Sequence, residues 1–438
     1  MTILLKQVTI ADPQSKHNGL TTDIFIENGV IVSIGSNSSQ KVDHTLECNG
    51  AHVSSGWVDV FSNFCDPGFE FKETLQSGIA AASAGGYTRV LVMADTKPVT
   101  DNKAQVAYIH AAGNQTSVSL HPIGAITKKM EGQSLAEMYD MRASHAIAFS
   151  DGMHPVQSPG VFLKALQYVK AFDGILIQIP IDKTIAANGL MHEGIVSTQM
   201  GLPGLPAVAE ELMVKRDIDL LRYTGSKLHI TGVSSATTIE LIRAAKKEGL
   251  AITCSVTPTH LFYCDEDMTS YNTNLKVIPP VRTKADREAL RAAVVDGTID
   301  CIASHHAPQD WDHKVCEFEY AEFGNIGLQT TYATLEHTVP GLTAAQISNL
   351  LSGNARKIFG LPEVAIQEGQ AAELTIFNRT QTTTLTSKNN KSKSSNSAFM
   401  DITLNGAVVA TVHNNPYSAF SPRVKIFSDH SLYYVEHL

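Results

Sequence analysis

Between residues 57 and 360 the chain repeats one pattern: a short apolar run, a turn, a helix-like stretch, then another short apolar run. Strand-like runs fall at 57–64, 89–96, 118–126, 146–151, 174–181, 227–234, 251–258 and 300–308. Helix-like stretches such as 72–85, 206–224, 236–249 and 284–295 lie between them. Alternation of this kind implies parallel βα units, and eight of them imply a (β/α)8 barrel with helices on its outside.

The two ends of the chain read differently. Residues 23–26 and 30–34 flank Glu27-Asn28-Gly29, and Asn-Gly between apolar runs is a strong hairpin signal. Strand patterns return at 372–377 and 401–413, on either side of a Thr/Ser/Lys/Asn-rich tract, 380–396, expected to be a flexible loop. The predicted organisation is an α/β chain in which residues 1–55 and 363–438 build one small β-sandwich domain, with the TIM-like barrel, 56–362, inserted between them.

Composition removes several classes of function. With 34 Lys+Arg against 43 Asp+Glu the net charge is −9, and no basic stripe interleaved with aromatics is present to bind nucleic acid. At 43% hydrophobic and 18% charged residues, the chain has the makings of a large core and too little charge for disorder. Its apolar stretches fall short of the ~18 residues of a membrane span. The opening MTILLKQVTIADP alternates as a strand does and is not expected to be a secretion signal. Six scattered cysteines with no CxxC pair fit reduced, mostly buried thiols in a cytoplasmic protein.

Catalytic groups of such barrels stand at the C-terminal ends of the strands. Here those ends read Phe61-Ser62-Asn63-Phe64-Cys65, Ala94-Asp95, Ser150-Asp151-Gly152, Ile177-Gln178, Ile230-Thr231-Gly232, Thr259-His260 and Ser304-His305-His306. Around them lie Asp66-Pro67-Gly68 with Lys72-Glu73, Gly85-Gly86-Tyr87-Thr88, Gly124-Ala125-Ile126-Thr127-Lys128, Gly201-Leu202-Pro203-Gly204-Leu205-Pro206, Lys276-Val277-Ile278-Pro279-Pro280-Val281-Arg282 and Phe323-Gly324-Asn325-Ile326-Gly327. In order and spacing these segments resemble the dihydroorotases of the amidohydrolase superfamily over nearly the whole chain.

That resemblance implies reversible cyclisation of carbamoyl aspartate to dihydroorotate by a zinc-bound hydroxide, with a strand-eight aspartate moving the proton. It also implies a His-x-His on strand one, an acid or carboxylated lysine on strand four, and a histidine each on strands five and six. This chain departs from that pattern. Phe61 and Asn63 stand at the His-x-His, Gln178 and Gly232 at the single histidines, and His305 at the aspartate. Cys65 replaces the arginine that grips a substrate carboxylate, Asp95 the asparagine beside it, and Ile278 the asparagine before the paired prolines. Of the ligand set only Asp151 remains, and Phe, Gly and a Gln amide are poor or impossible zinc ligands.

Asp151 and His305 could form a substitute metal site, but structural roles are the default for them, as for His121, His229 and His260. Cys65 reads as a buried thiol rather than a nucleophile. The expectation is therefore a catalytically inactive dihydroorotase homologue with no cofactor, structural or regulatory in pyrimidine biosynthesis. The partner that the resemblance implies is aspartate carbamoyltransferase, and the chain is expected to form a homodimer or higher oligomer. An active cyclic-amide hydrolase with a rearranged zinc site is the first alternative, and a small-molecule sensor using the emptied barrel pocket is the second.

Overall fold

In the computed structural model, which describes residues 1–35, 42–114, 116–185, 187–413, 423–426 and 433–434, the amino end forms five strands. They are β1 (Thr2–Ile10), β2 (Thr21–Glu27), β3 (Val30–Ile34), β4 (His44–Glu47) and β5 (Ala51–Ser55). Strands β2 and β3 pair antiparallel with Glu27 opposite Val30. Asn28 and Gly29, at φ 48° and 76°, supply the two left-handed residues that this turn demands.

The barrel follows. Its strands are β6 (Trp57–Ser62), β7 (Tyr87–Val92), β8 (Ser119–Gly124), β9 (Ala148–Phe149) and β10 (Leu176–Gln178); a short parallel ribbon of β11 (Met191–His192) and β12 (Gly204–Leu205) lies outside it; then come β13 (Leu228–Thr231), β14 (Ile252–Val256) and β15 (Cys301–Ile302). The eight barrel strands pair in sequence order, parallel throughout. At the seam, Asn63 N donates to His306 O at 2.8 Å. The wholly buried Asp59 reaches across as well, accepting from Ser304 N at 2.7 Å and Ser304 Oγ at 3.0 Å.

Most barrel strands are apolar on both faces, because one meets the helices and the other meets the lumen; β13 and β14 instead carry His229, Thr231, Thr253 and Ser255. Val90, Val92, Leu120, Phe149, Leu176 and Ile230 join the cluster under the helices. Val58, Val60, Leu91, Met93, Ile123, Ile177 and Ile179 form the lumen cluster. Crossover helices start on side-chain caps: Thr74 and Thr283 each make a capping box, with Ser77 and Asp286, satisfying backbone donors that would otherwise be orphaned.

Past the barrel, β16 (Leu374–Thr384), β17 (Thr403–His413), β18 (Arg423–Ile426) and β19 (Tyr433–Tyr434) join the first five strands in one mostly antiparallel sheet. The expected sandwich is thus a single hydrogen-bonded sheet. Its inner residues from both chain ends, among them Ile3, Leu5, Ile24, Val53, Leu374 and Val412, share one apolar cluster.

The tract 380–396 is not the flexible loop that its composition suggested. Residues through Thr384 extend β16, and those from 385 to 399 form a strap fastened to the loops at the barrel mouth. Ser392 Oγ and Lys393 N donate to the Glu73 carboxylate. Ser394 Oγ donates to Lys72 O, and Asn396 bridges Gln309 N and Ala307 O. Polar side chains that would solvate a loop here fasten it instead.

Candidate barrel-mouth site

At the C-terminal end of β6 the Phe61 side chain is 1% exposed and lies against the His305 ring, centroids 5.0 Å apart. His305 itself sits at φ 44°, a strained left-handed geometry for a residue with a side chain. Its Nε2 shares a 2.8 Å hydrogen bond with Thr231 Oγ1. Gly232 makes this fit possible: at φ 75°, a Cβ there would stand 2.7 Å from His305 Cε1 and 3.1 Å from Pro279 Cδ. Phe61, Gly232 and His305 therefore form one packed unit.

Below them runs a polar ladder through the lumen. Thr231 Oγ1 meets Ser255 Oγ at 2.8 Å, Ser255 Oγ meets His229 Nε2 at 3.0 Å, and His229 Nδ1 meets Thr253 Oγ1 at 2.8 Å. The alternation His229/Thr231 and Thr253/Ser255 is the signal in the sequence that marks it. Burial pushes His229 and His305 down to about 3, helped for His305 by the neighbouring imidazoles of His260 and His229. His260, bonded to Thr257 Oγ1 and Pro279 O, falls to about 4, again chiefly through burial. These imidazoles are neutral.

Two buried acids, Asp95 and Asp151, lie close enough for their charges to interact. Asp151 accepts from Ile126 N (2.8 Å), Thr127 N (2.9 Å) and Thr127 Oγ1, and burial still raises it to about 6. Asp95 Oδ1 accepts from Met153 N at 3.1 Å, while Oδ2 is buried without a partner. Burial, reinforced by the Asp151 charge, lifts Asp95 to about 7.

The remaining predicted positions scatter. Asn63 Oδ1 caps Cys65 N at 2.8 Å. The Cys65 thiol is pushed up to about 12 by burial, far from a thiolate at neutral pH. Gln178 faces the helix layer, donating to Val156 O at 3.4 Å beside Met213 Sδ. The lumen-facing residue at the end of that strand is Ile179, which the sequence reading passed over. Ile278 lines the mouth pocket together with Phe61, Met93, Met153, His305 and Asn325, around ≈ 440 Å³ of space partly open to solvent.

This is the architecture of a barrel amidohydrolase. The match extends to relatives: the Dihydro-orotase-like family model matches residues 51–238. The chain is 38% identical to the dihydroorotase of Syntrophus aciditrophicus, over 94% of this chain and 98% of that one. It is 39% identical to that of Pelotomaculum thermopropionicum, over 94% and 97%. Among solved structures, the L-hydantoinase (dihydropyrimidinase) of Arthrobacter aurescens superposes with a TM-score of 0.82 at 21% identity, covering 93% of this chain and 94% of that one. The chain belongs to the dihydroorotase family.

The zinc that this family implies needs three or four imidazole, thiolate or carboxylate donors around one point. The mouth offers two imidazoles, His260 and His305, each already hydrogen-bonded within the protein, among Phe61, Met93, Met153 and Ile278 and the hydroxyls of Thr257, Thr259 and Ser304. Among the described residues no group of three or more His, Cys, Asp or Glu is placed to hold a metal. Among the described residues, too, no helix is long and apolar enough to cross a membrane.

Proposed function

We propose that this dihydroorotase-family chain is not itself a hydrolase and acts as a structural or regulatory component of pyrimidine biosynthesis, assembled with aspartate carbamoyltransferase and with further copies of itself. The observation that carries this reading is the Phe61–His305–Gly232 packing, which fills with side chains the place where the family's ligands would converge. Hydrolysis of an unactivated amide also needs a group that stabilises the developing oxyanion, and none of the residues lining the pocket is a lysine or arginine.

The names of the relatives favour a second reading, an active dihydroorotase-type hydrolase with a rearranged zinc site. Turnover of dihydroorotate by the purified chain, with and without added zinc and with metal content measured, separates the two. The proposal expects no turnover above the buffer rate and no stoichiometric metal. Zinc-dependent turnover by the unaltered chain sinks it and establishes the alternative. Co-elution with aspartate carbamoyltransferase on size exclusion tests the partner.

A further inference from the structure

Two stretches of opposite charge stand side by side on the rim of the barrel mouth. The loop 309–322, between β15 and the helix that follows, carries five acids against one lysine. The stretch 374–400, which includes the strap, carries one arginine and three lysines and no acid. Asn396 of the strap ties both roots of the loop: its Oδ1 accepts from Gln309 N at 3.1 Å and its carbonyl from Ile326 N at 3.0 Å. Asp310 is paired with His313, and Arg379 with Glu336. Among the described residues no other acid of the loop and no lysine of the strap is in a salt bridge.

The loop is held in shape from beneath. Lys314 and Lys276 are buried, and both ammonium groups are spent on main-chain carbonyls. Lys314 Nζ donates to Thr273 O, Glu322 O and Gly324 O at 2.6, 2.8 and 3.0 Å. Lys276 Nζ donates to Phe318 O and Glu319 O at 2.8 and 3.0 Å. This frame displays apolar side chains to solvent: Trp311 is 68% exposed, Val315 58% and Tyr320 75%. Side chains presented by a fixed backbone cost less to order on docking, and Trp and Tyr are where interface energy concentrates.

We infer that a second copy of this chain docks on this rim about a twofold axis, the acidic, Trp311-bearing loop of each copy lying against the strap lysines of the other. A twofold contact uses the same patch on both copies, so the patch must carry both halves of every pair. This rim carries both signs, unspent; a foreign partner would need to match only one of them. The inference deepens the self-assembly in the function proposed above by giving it a surface.

Sedimentation velocity of the full chain across a concentration series tests it, with tryptophan emission read on the same samples. The chain has two tryptophans and Trp57 is already buried, so a blue shift on association reports Trp311. A dimer is expected whose dissociation constant rises roughly tenfold from about 0.05 M to about 0.5 M salt. Trp311→Ala should weaken it by roughly tenfold at either salt. Lys388→Glu with Lys391→Glu should give a monomer, and so should Asp312→Lys with Glu317→Lys and Glu319→Lys, because each set leaves one sign dominant on the rim. Mixed in equal amounts the two variants should dimerise again, which misfolded chains could not do. A dimer indifferent to salt, to Trp311→Ala and to both charge sets overturns the inference and leaves self-assembly standing. Two variants that melt like the unaltered chain but do not pair when mixed also overturn it. A chain that is monomeric throughout overturns both, and a Trp311 shift seen only with aspartate carbamoyltransferase gives the face to that partner instead. Turnover and metal content are read separately, so none of these results is confounded with the question of catalysis.

Discussion

Asp95 shows how much a single buried carboxyl can bias the whole chain. Its Oδ2 lies where the Cβ of any residue but glycine at position 152 would stand, and it has no hydrogen-bond donor. Burial raises its pKa from 3.8 to about 7, so the folded chain keeps a proton that the unfolded chain has released. Between about pH 4 and pH 7 the native state thus binds more protons, and stability falls as pH rises; above pH 7 the penalty is fully present. A difference of about three between the two pKa values corresponds to roughly 4 kcal/mol. Asp95→Asn removes the charge but leaves the two amide protons at that position without an acceptor, so a net gain of roughly 1–3 kcal/mol is expected at pH 8.5. At pH 5 the gain should shrink toward zero. Urea denaturation at both pH values checks this; a gain independent of pH would mean that Asp95 does not titrate in this range.

At the level of strands and helices the sequence was readable where periodicity and punctuation agree. Each of the eight barrel strands overlaps its expected run, and the Asn28-Gly29 turn formed as its residues require. What failed is instructive. Around β10 the run Ile175-Leu176-Ile177-Gln178-Ile179 is mostly apolar, so alternation cannot tell lumen from helix layer; Gln178 turns to the helices, and Ile177 and Ile179 to the lumen cluster. The strap at 385–399 failed for a compositional reason: Ser, Asn and Lys look alike whether they bond water or backbone. The mouth itself was legible as a loss of ligands but not as a repacked unit, since Gly232 and His305 are 73 positions apart. Their coupling can be measured. Gly232→Ala should cost roughly 2–4 kcal/mol, combining left-handed backbone strain with the overlap on His305. In a His305→Ala background the overlap on His305 disappears, and roughly 1–2 kcal/mol remains from the backbone and the tight approach to Pro279 Cδ. Additive losses in this double-mutant cycle would show that the glycine is required by the backbone alone.

Across the whole molecule, barrel and sheet are joined by a buried charge cluster as well as by apolar packing. Glu373, the residue before β16, accepts from Arg89 Nε and Nη2 at 2.9 and 2.8 Å, from Thr88 Oγ1 at 2.8 Å and from Arg356 Nη2. Burial alone would raise its pKa, but the two guanidiniums outweigh that and hold it well below the ordinary value. Its contribution is therefore present above about pH 4.5 and is lost as the medium becomes more acid. Trp57, Tyr332 and Phe377 pack beside it, with centroids 5.0 to 5.5 Å apart, so water has little access to repair a broken pair. Glu373→Ala leaves two guanidiniums buried together without a counter-ion, and a loss of roughly 3–5 kcal/mol in urea denaturation is expected. The exposed pair Arg222–Glu248 has a similar 2.9 Å separation, yet Glu248→Ala should leave the midpoint unchanged, because solvent screens it. If the sheet docks through its apolar contacts alone, both substitutions will be silent. If the buried cluster fastens the two parts, only Glu373→Ala will lower the midpoint, and hydrogen exchange should rise first at β5 and β16, where the sheet meets the barrel.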